Sequence, residues 1–140
     1  MSYRIVTNNQ KVLQTFSDEL WVTRVDGTSS EVYEMVGCLL QEGWRLISAP
    51  LPPNVPLIRS PFRSLIIEES NRRYDPSGIL MIEKAKEMLV LLGNVSRREA
   101  LEDYAAIDLN LLQRAMEHLQ PFCKGLQAIP RARRNGCGKT

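Results

Sequence analysis

At 140 residues, 44% hydrophobic and 24% charged, the chain has the size and composition of one globular domain able to build a core without disulfides. A formal net charge of +2 gives no reason to expect nucleic acid as a partner, and no apolar run reaches the roughly 18–20 residues that span a bilayer. Three cysteines (Cys38, Cys123 and Cys137) lack C-x-x-C spacing, and His118 is the single histidine, so a disulfide framework, a dithiol redox motif and a Cys/His metal site are all disfavoured.

The first strand is predicted over residues 3–7, which alternate and are rich in β-branched side chains. Thr7-Asn8-Asn9 breaks that pattern, and Asn9 is placed to cap a short helix carrying Val12, Leu13 and Phe16. A second strand is expected around Leu20-Trp21-Val22 and Val25, ended by a turn at Asp26-Gly27. The clearest helix follows. Thr28 and Glu31 have capping-box spacing, Val32, Met35, Val36, Leu39 and Leu40 make one apolar stripe, and Gly43 stands where a C-terminal glycine belongs. Trp44 to Ala49 reads as a third strand.

Five prolines fall at Pro50, Pro52, Pro53, Pro56 and Pro61, which argues against both helix and central strand there. Arg63 to Glu68 is the fourth predicted strand, with Glu68 and Glu69 pointing to opposite faces and ending it in water. Asn71 to Tyr74 is a loop. Asp75-Pro76 starts a helix running to about Leu92, stopped by Gly93-Asn94. A second capping box, Ser96 and Glu99, opens a short helix. Asp108 is expected to cap a further one carrying Leu109, Leu112, Met116 and Leu119, terminated by Pro121.

This order predicts a single small α/β domain: a mostly parallel four-stranded sheet covered by helices, with a helical C-terminal part, the short link between the third and fourth strands leaving room for an antiparallel edge. Residues 1–128 form the domain, and 129–140 a disordered basic tail without apolar periodicity. A parallel order brings the ends of the strands at Thr7-Asn8-Asn9, Asp26-Gly27 and Pro50 onward to one sheet edge, where open α/β sheets usually bind ligands.

No residue set resembles a catalytic constellation. His118 sits near a helix C-terminus, where the dipole favours a cation, with no nucleophile and orienting acid in a recognisable pattern. The C-terminal Gly136-Cys137-Gly138-Lys139-Thr140 resembles the end of a phosphate-binding loop, but Arg133 occupies the motif's first glycine, so the match is a coincidence. The candidate binding residues are Thr7, Asn8 and Asn9 with Asn54, Arg59, Ser60, Arg63 and Ser64 of the proline-stiffened loop. Their amides, hydroxyls and guanidinium groups suit a small anionic ligand or an acidic protein surface, and a stiff loop loses little entropy on binding. In the plainer reading, the asparagines cap a helix and the arginines are solvated.

The same residues carry a family resemblance. Thr7-Asn8-Asn9, Asp26-Gly27, Gly43-Trp44, Pro50-Leu51, Pro53-Asn54 and Pro61-Phe62-Arg63-Ser64 leading into Leu65-Ile66-Ile67 are similar to the GrdX family. These are small accessory proteins encoded with the glycine, sarcosine and betaine reductase systems of anaerobic bacteria. The likeness runs over roughly residues 3 to 125. Gln10 and Ala49 depart from the pattern, standing where proline and histidine are often found, so histidine chemistry at the second position is not available here. The resemblance implies a setting in anaerobic metabolism and a reductase-complex protein as a partner, without a reaction. The expectation is thus a cytoplasmic, non-catalytic accessory protein with no cofactor or metal. Its alternative is an enzyme or sensor using the strand-end edge.

Overall fold

The structure, a computed structural model, describes residues 3–16, 21–70, 75–93 and 98–119. Among the described residues nine elements follow in chain order: β1 (Tyr3–Thr7), α1 (Gln10–Phe16), β2 (Val22–Arg24), α2 (Ser29–Gln41), β3 (Trp44–Leu46), α3 (Val55–Ile58), β4 (Ser64–Glu69), α4 (Pro76–Leu92) and α5 (Arg98–His118). The expected tail and its boundary lie outside the described residues, as do Ser96, Pro121, Cys123 and Cys137.

Local chemistry sets several boundaries. Asn9 caps α1, its Oδ1 accepting from Lys11 N–H. Thr28 and Glu31 close the reciprocal capping box on α2. The chain after α2 turns through Gly43 at φ 108°, a left-handed conformation that glycine adopts without a Cβ penalty. Asp75 Oδ1 accepts from Gly78 N–H at the start of α4, and Pro76 sits where its missing N–H would have had no helical partner.

The four strands are ordered β2-β1-β4-β3. β1 and β2 are parallel, whereas β4 is antiparallel to both β1 and β3. The sheet is therefore mixed, which corrects the mostly parallel expectation. β4 lies inside the sheet because Leu65, Ile66 and Ile67 are buried on both of its faces, and a continuous apolar run fits only an internal strand. The segment after β3 does not cross a face of the sheet. Ile47 N–H extends the pairing to Ile66 O, and the chain re-enters at the edge it left.

Side-chain alternation divides the core into two layers. Val6, Leu65 and Ile67 pack with Val32, Tyr33, Val36, Leu39 and Leu40 of α2 and Ile82, Ala85 and Leu89 of α4. Tyr3, Ile5 and Ile66 pack on the other face with Val12 and Phe16 of α1 and Leu112 and Met116 of α5. Each fully buried aliphatic side chain in these layers contributes roughly 1.5–3 kcal/mol, and truncating one such as Leu40 to alanine would cost about 2–5 kcal/mol.

Three further expectations are corrected. Val55-Pro56-Leu57-Ile58 does form a short helix, because Pro56 occupies the first turn, where no N–H is needed, and Asn54 Oδ1 caps Leu57 N–H. Asp108 caps nothing. It lies within one continuous α5, whose buried positions Ala105, Leu112 and Met116 run straight past it. Glu68 does not end in water either: it is buried and pairs with Arg45 at 2.5 Å across the β3–β4 ladder. β4 starts at Ser64, one residue later than expected, and β3 ends earlier, at Leu46. No described helix is long and apolar enough to cross a membrane.

Candidate functional site

β1 and β3 run in the same direction, so their C-terminal ends and the N-terminal end of β4 share one sheet edge. Thr7 pairs with Ser64 across it. Asn8 then clamps three segments. Its Nδ2 donates to Gly27 O and to Pro61 O, both at 2.9 Å, and its Oδ1 accepts from Arg63 N–H at 2.9 Å. The 50–64 segment does pack beside Thr7-Asn8-Asn9, fastened by the Asn8 side chain and by the Thr7–Ser64 hydroxyl pair.

Arg63 immediately precedes β4 and faces α2, opposite to Ser64. It is 4% exposed. Its Nε donates to Tyr33 Oη at 2.8 Å and its Nη1 to Phe62 O at 2.8 Å, with longer contacts to Ser60 O and Leu57 O. Its Nη2 donates to Ile58 O. Nη1 and Nη2 thus hold the loop by its carbonyls, while Nε ties it to α2 through the Tyr33 hydroxyl. Tyr33 Oη donates to Pro50 O at 2.6 Å and so ties the start of the same segment. Burial raises the Tyr33 hydroxyl above its ordinary pKa, against the lowering influence of the Arg63 charge.

Between this segment and α5 lies a cavity of about 180 Å³. Pro50 to Pro53, Leu57 and Phe62 form one wall, Tyr104, Ile107, Leu111 and Ala115 of α5 the other, and Ser48, Ser64 and Asp108 line it as polar residues. Asp108 is the residue that sequence reasoning missed. Its Oδ2 accepts from Ser64 Oγ at 2.7 Å and from Asn9 Nδ2 at 2.9 Å. With Ser64 donating to the carboxylate, the 2.7 Å contact between Thr7 Oγ1 and Ser64 Oγ has Thr7 as donor, and Thr7 Oγ1 accepts in turn from Asn9 N–H. Asn9 Nδ2 also reaches Ala105 O, so this one side chain fastens α5 to the end of β1.

Burial raises the Asp108 carboxyl above the usual carboxylate range. The Ser64 and Asn9 hydrogen bonds and the Arg63 charge oppose that rise. A partly desolvated carboxylate in an apolar cavity binds a proton or a complementary charge more tightly than one in water. The available signal was the position of Asp108 on the apolar stripe of α5, three residues after Ala105 and four before Leu112.

The structure therefore brings together Thr7, Asn8, Asn9, Arg63 and Ser64, and Ser60 lies in the cavity lining. It does not bring in Asn54, which is exposed and caps α3, or Arg59, which is exposed at the end of α3. His118 is exposed in the last turn of α5, away from the cavity lining. Among the described residues no group of three or more His, Cys, Asp and Glu side chains is placed to hold a metal ion.

A family model described as GrdX-like protein matches residues 4–117, and the chain belongs to that family. Ala49, named above as a departure from the resemblance, is one of the cavity-lining residues. No curated protein and no solved structure matches the chain.

Proposed function

We propose that this GrdX-family chain is a non-catalytic accessory protein of a glycine, sarcosine or betaine reductase-type system, and that it works by holding a small ligand. The observation that carries this reading is the cavity between the 50–63 segment and α5, apolar on both walls with Asp108 and Ser64 converging inside it. Concave, mostly apolar sites with a few placed polar groups are the usual form of a small-molecule site. The polar atoms around the cavity support a binding role. Asn8, Asn9 and Arg63 hold backbone segments in position, a preorganised frame that loses little entropy when a ligand arrives.

A thermal-shift panel of glycine, sarcosine, betaine, acetyl phosphate and nucleotides tests the ligand. A compound present at 100 times its dissociation constant adds about 2.7 kcal/mol of stability, a shift of several degrees. Affinity capture of the full chain from a lysate of an anaerobe growing on glycine tests the setting. A reductase component is expected in the eluate, and its absence under gentle conditions counts against the accessory role.

A second reading, a small-molecule enzyme or sensor, draws on the Ser64 hydroxyl 2.7 Å from a carboxylate inside the cavity. Turnover of any compound that shifts the melting temperature would favour it over the first.

A further inference from the structure

We propose that the cavity takes a small organic cation, an ammonium or methylated ammonium group, with the Asp108 carboxylate as its counter-ion and the rings of Phe62 and Tyr104 in the same lining. This rests on the reading of the cavity as the ligand site and specifies the charge of what enters it.

Two charged side chains line the cavity, Arg63 and Asp108. Arg63 is turned into the loop that carries it, with Nε on Tyr33 Oη, Nη1 on Phe62 O and Nη2 on Ile58 O. Its charge is satisfied by carbonyl dipoles, and a ligand anion would have to displace them. Asp108 is different. Both of its protein partners, Ser64 and Asn9, converge on Oδ2, and no donor among the described residues reaches Oδ1.

A carboxylate with one oxygen held in place and the other without a protein donor is oriented but incompletely neutralised. A positive group restores in the cavity what burial removed. Aromatic faces attract the same kind of group, methylated ammonium above all, because the ring quadrupole is negative at its face. The apolar walls accommodate methyl or methylene groups, and the volume of about 180 Å³ suits a molecule a little larger than benzene, which fills a cavity of roughly 150 Å³. The polarity is opposite to that suggested by an arginine-bearing loop.

Calorimetric titration of the full chain with three probes of one shape tests this: choline, its neutral carbon analogue 3,3-dimethylbutan-1-ol, and the anion 3,3-dimethylbutanoate. Choline should bind at least about tenfold more tightly than the alcohol, and the anion should give no heat. Asp108→Asn should lower choline affinity about tenfold and leave the alcohol unchanged, a pattern that a general loss of structure would not produce. Leu111→Trp, which keeps the carboxylate and fills the cavity, should abolish binding of both. Equal affinity for choline and the alcohol in the unaltered chain would overturn the cation assignment while leaving the cavity as a ligand site. No heat from any probe at millimolar concentration would remove both.

Discussion

Replacing Arg63 by methionine keeps an unbranched apolar stem and deletes the guanidinium that holds the 50–63 segment by its carbonyls. Three of its hydrogen bonds are short: those to Tyr33 Oη and Phe62 O at 2.8 Å, and that to Ile58 O. A hydrogen bond involving a charged group contributes roughly 1.5–3 kcal/mol. At the lower end for these three, and with nothing assigned to the contacts at 3.4 and 3.5 Å, the gross loss is about 4–5 kcal/mol. Removing a charge that folding had to desolvate offsets about 1–2 kcal/mol, so the net destabilisation is about 3 kcal/mol. That is a large fraction of the 5–15 kcal/mol typical of a domain. In urea, with m near 2 kcal/mol/M, the midpoint should fall by about 1.5 M at unchanged m. A double-mutant cycle with Tyr33→Phe should give a coupling of about 1 kcal/mol, because the two side chains share a bond. A midpoint within about 0.3 M of the unaltered chain would refute the reasoning. It would mean that the carbonyls are equally well served by water and that the guanidinium is available to a ligand after all.

Asp108 should make stability fall with rising pH. Its folded-state pKa lies above 3.8, so over the interval from 3.8 up to the raised value the folded chain keeps a proton that the unfolded chain has released. The contribution declines across that window, with Arg63 and Tyr33 the other titratable groups acting at the site, and is level above it. Chemical denaturation of the unaltered chain and of Asp108→Asn across pH 3.5–7 should give a stability difference that shrinks as pH rises; one that grows would reverse the sign. Asn9→Ala removes the α1 cap and the bonds to Ala105 O and Asp108, and should cost about 2–3 kcal/mol, seen as a melting temperature lower by several degrees. Asp75→Ala removes the α4 cap and the acceptor of Leu46 N–H, so hydrogen exchange should show the Leu46 amide opening faster while β1 amides keep their protection. Unchanged exchange at Leu46 would mean that water already covers the β3 edge.

What was legible in the sequence is what short-range chemistry decides. Asn9, Thr28 with Glu31, and Asp75 with Pro76 each satisfy backbone groups within three residues, so their roles can be read locally. The mixed sheet was legible only in part: the short link between the third and fourth strands allowed an antiparallel edge, but alternation of strands and helices does not say which strands pair. The unbroken Leu65-Ile66-Ile67 run was the clue that β4 is internal. Asp108 was misread because an aspartate between two apolar stretches resembles a cap. Its actual partners, Asn9 and Ser64, are 99 and 44 residues away. Arg63 was legible as a residue in the right place and illegible as to direction. Composition does not distinguish a guanidinium aimed at a ligand from one aimed at the carbonyls of its own loop. Val55-Pro56 illustrates a smaller limit: one proline forbids a helix interior and suits a first turn, and only the capping Asn54 decides between them.

The antiparallel pairing of β3 with β4 separates the two walls of the cavity in what they are free to become. The chain leaves β3 at Leu46, keeps hold of Ile66 through Ile47 and Ser48, and returns in the adjacent strand β4 at Ser64, so the stretch 49–62 is hung from two neighbouring strands and sets no strand register. Doubling the length of such an excursion costs only about 0.6 kcal/mol in closure entropy. The opposite wall is a helix whose buried stripe, Ala105, Leu112 and Met116, is also part of the fold's interior. One side of the chamber is thus an exchangeable cassette and the other is chassis. New ligand shapes can be explored by rewriting the cassette, provided that whatever replaces it still offers Arg63 a set of carbonyls to grip.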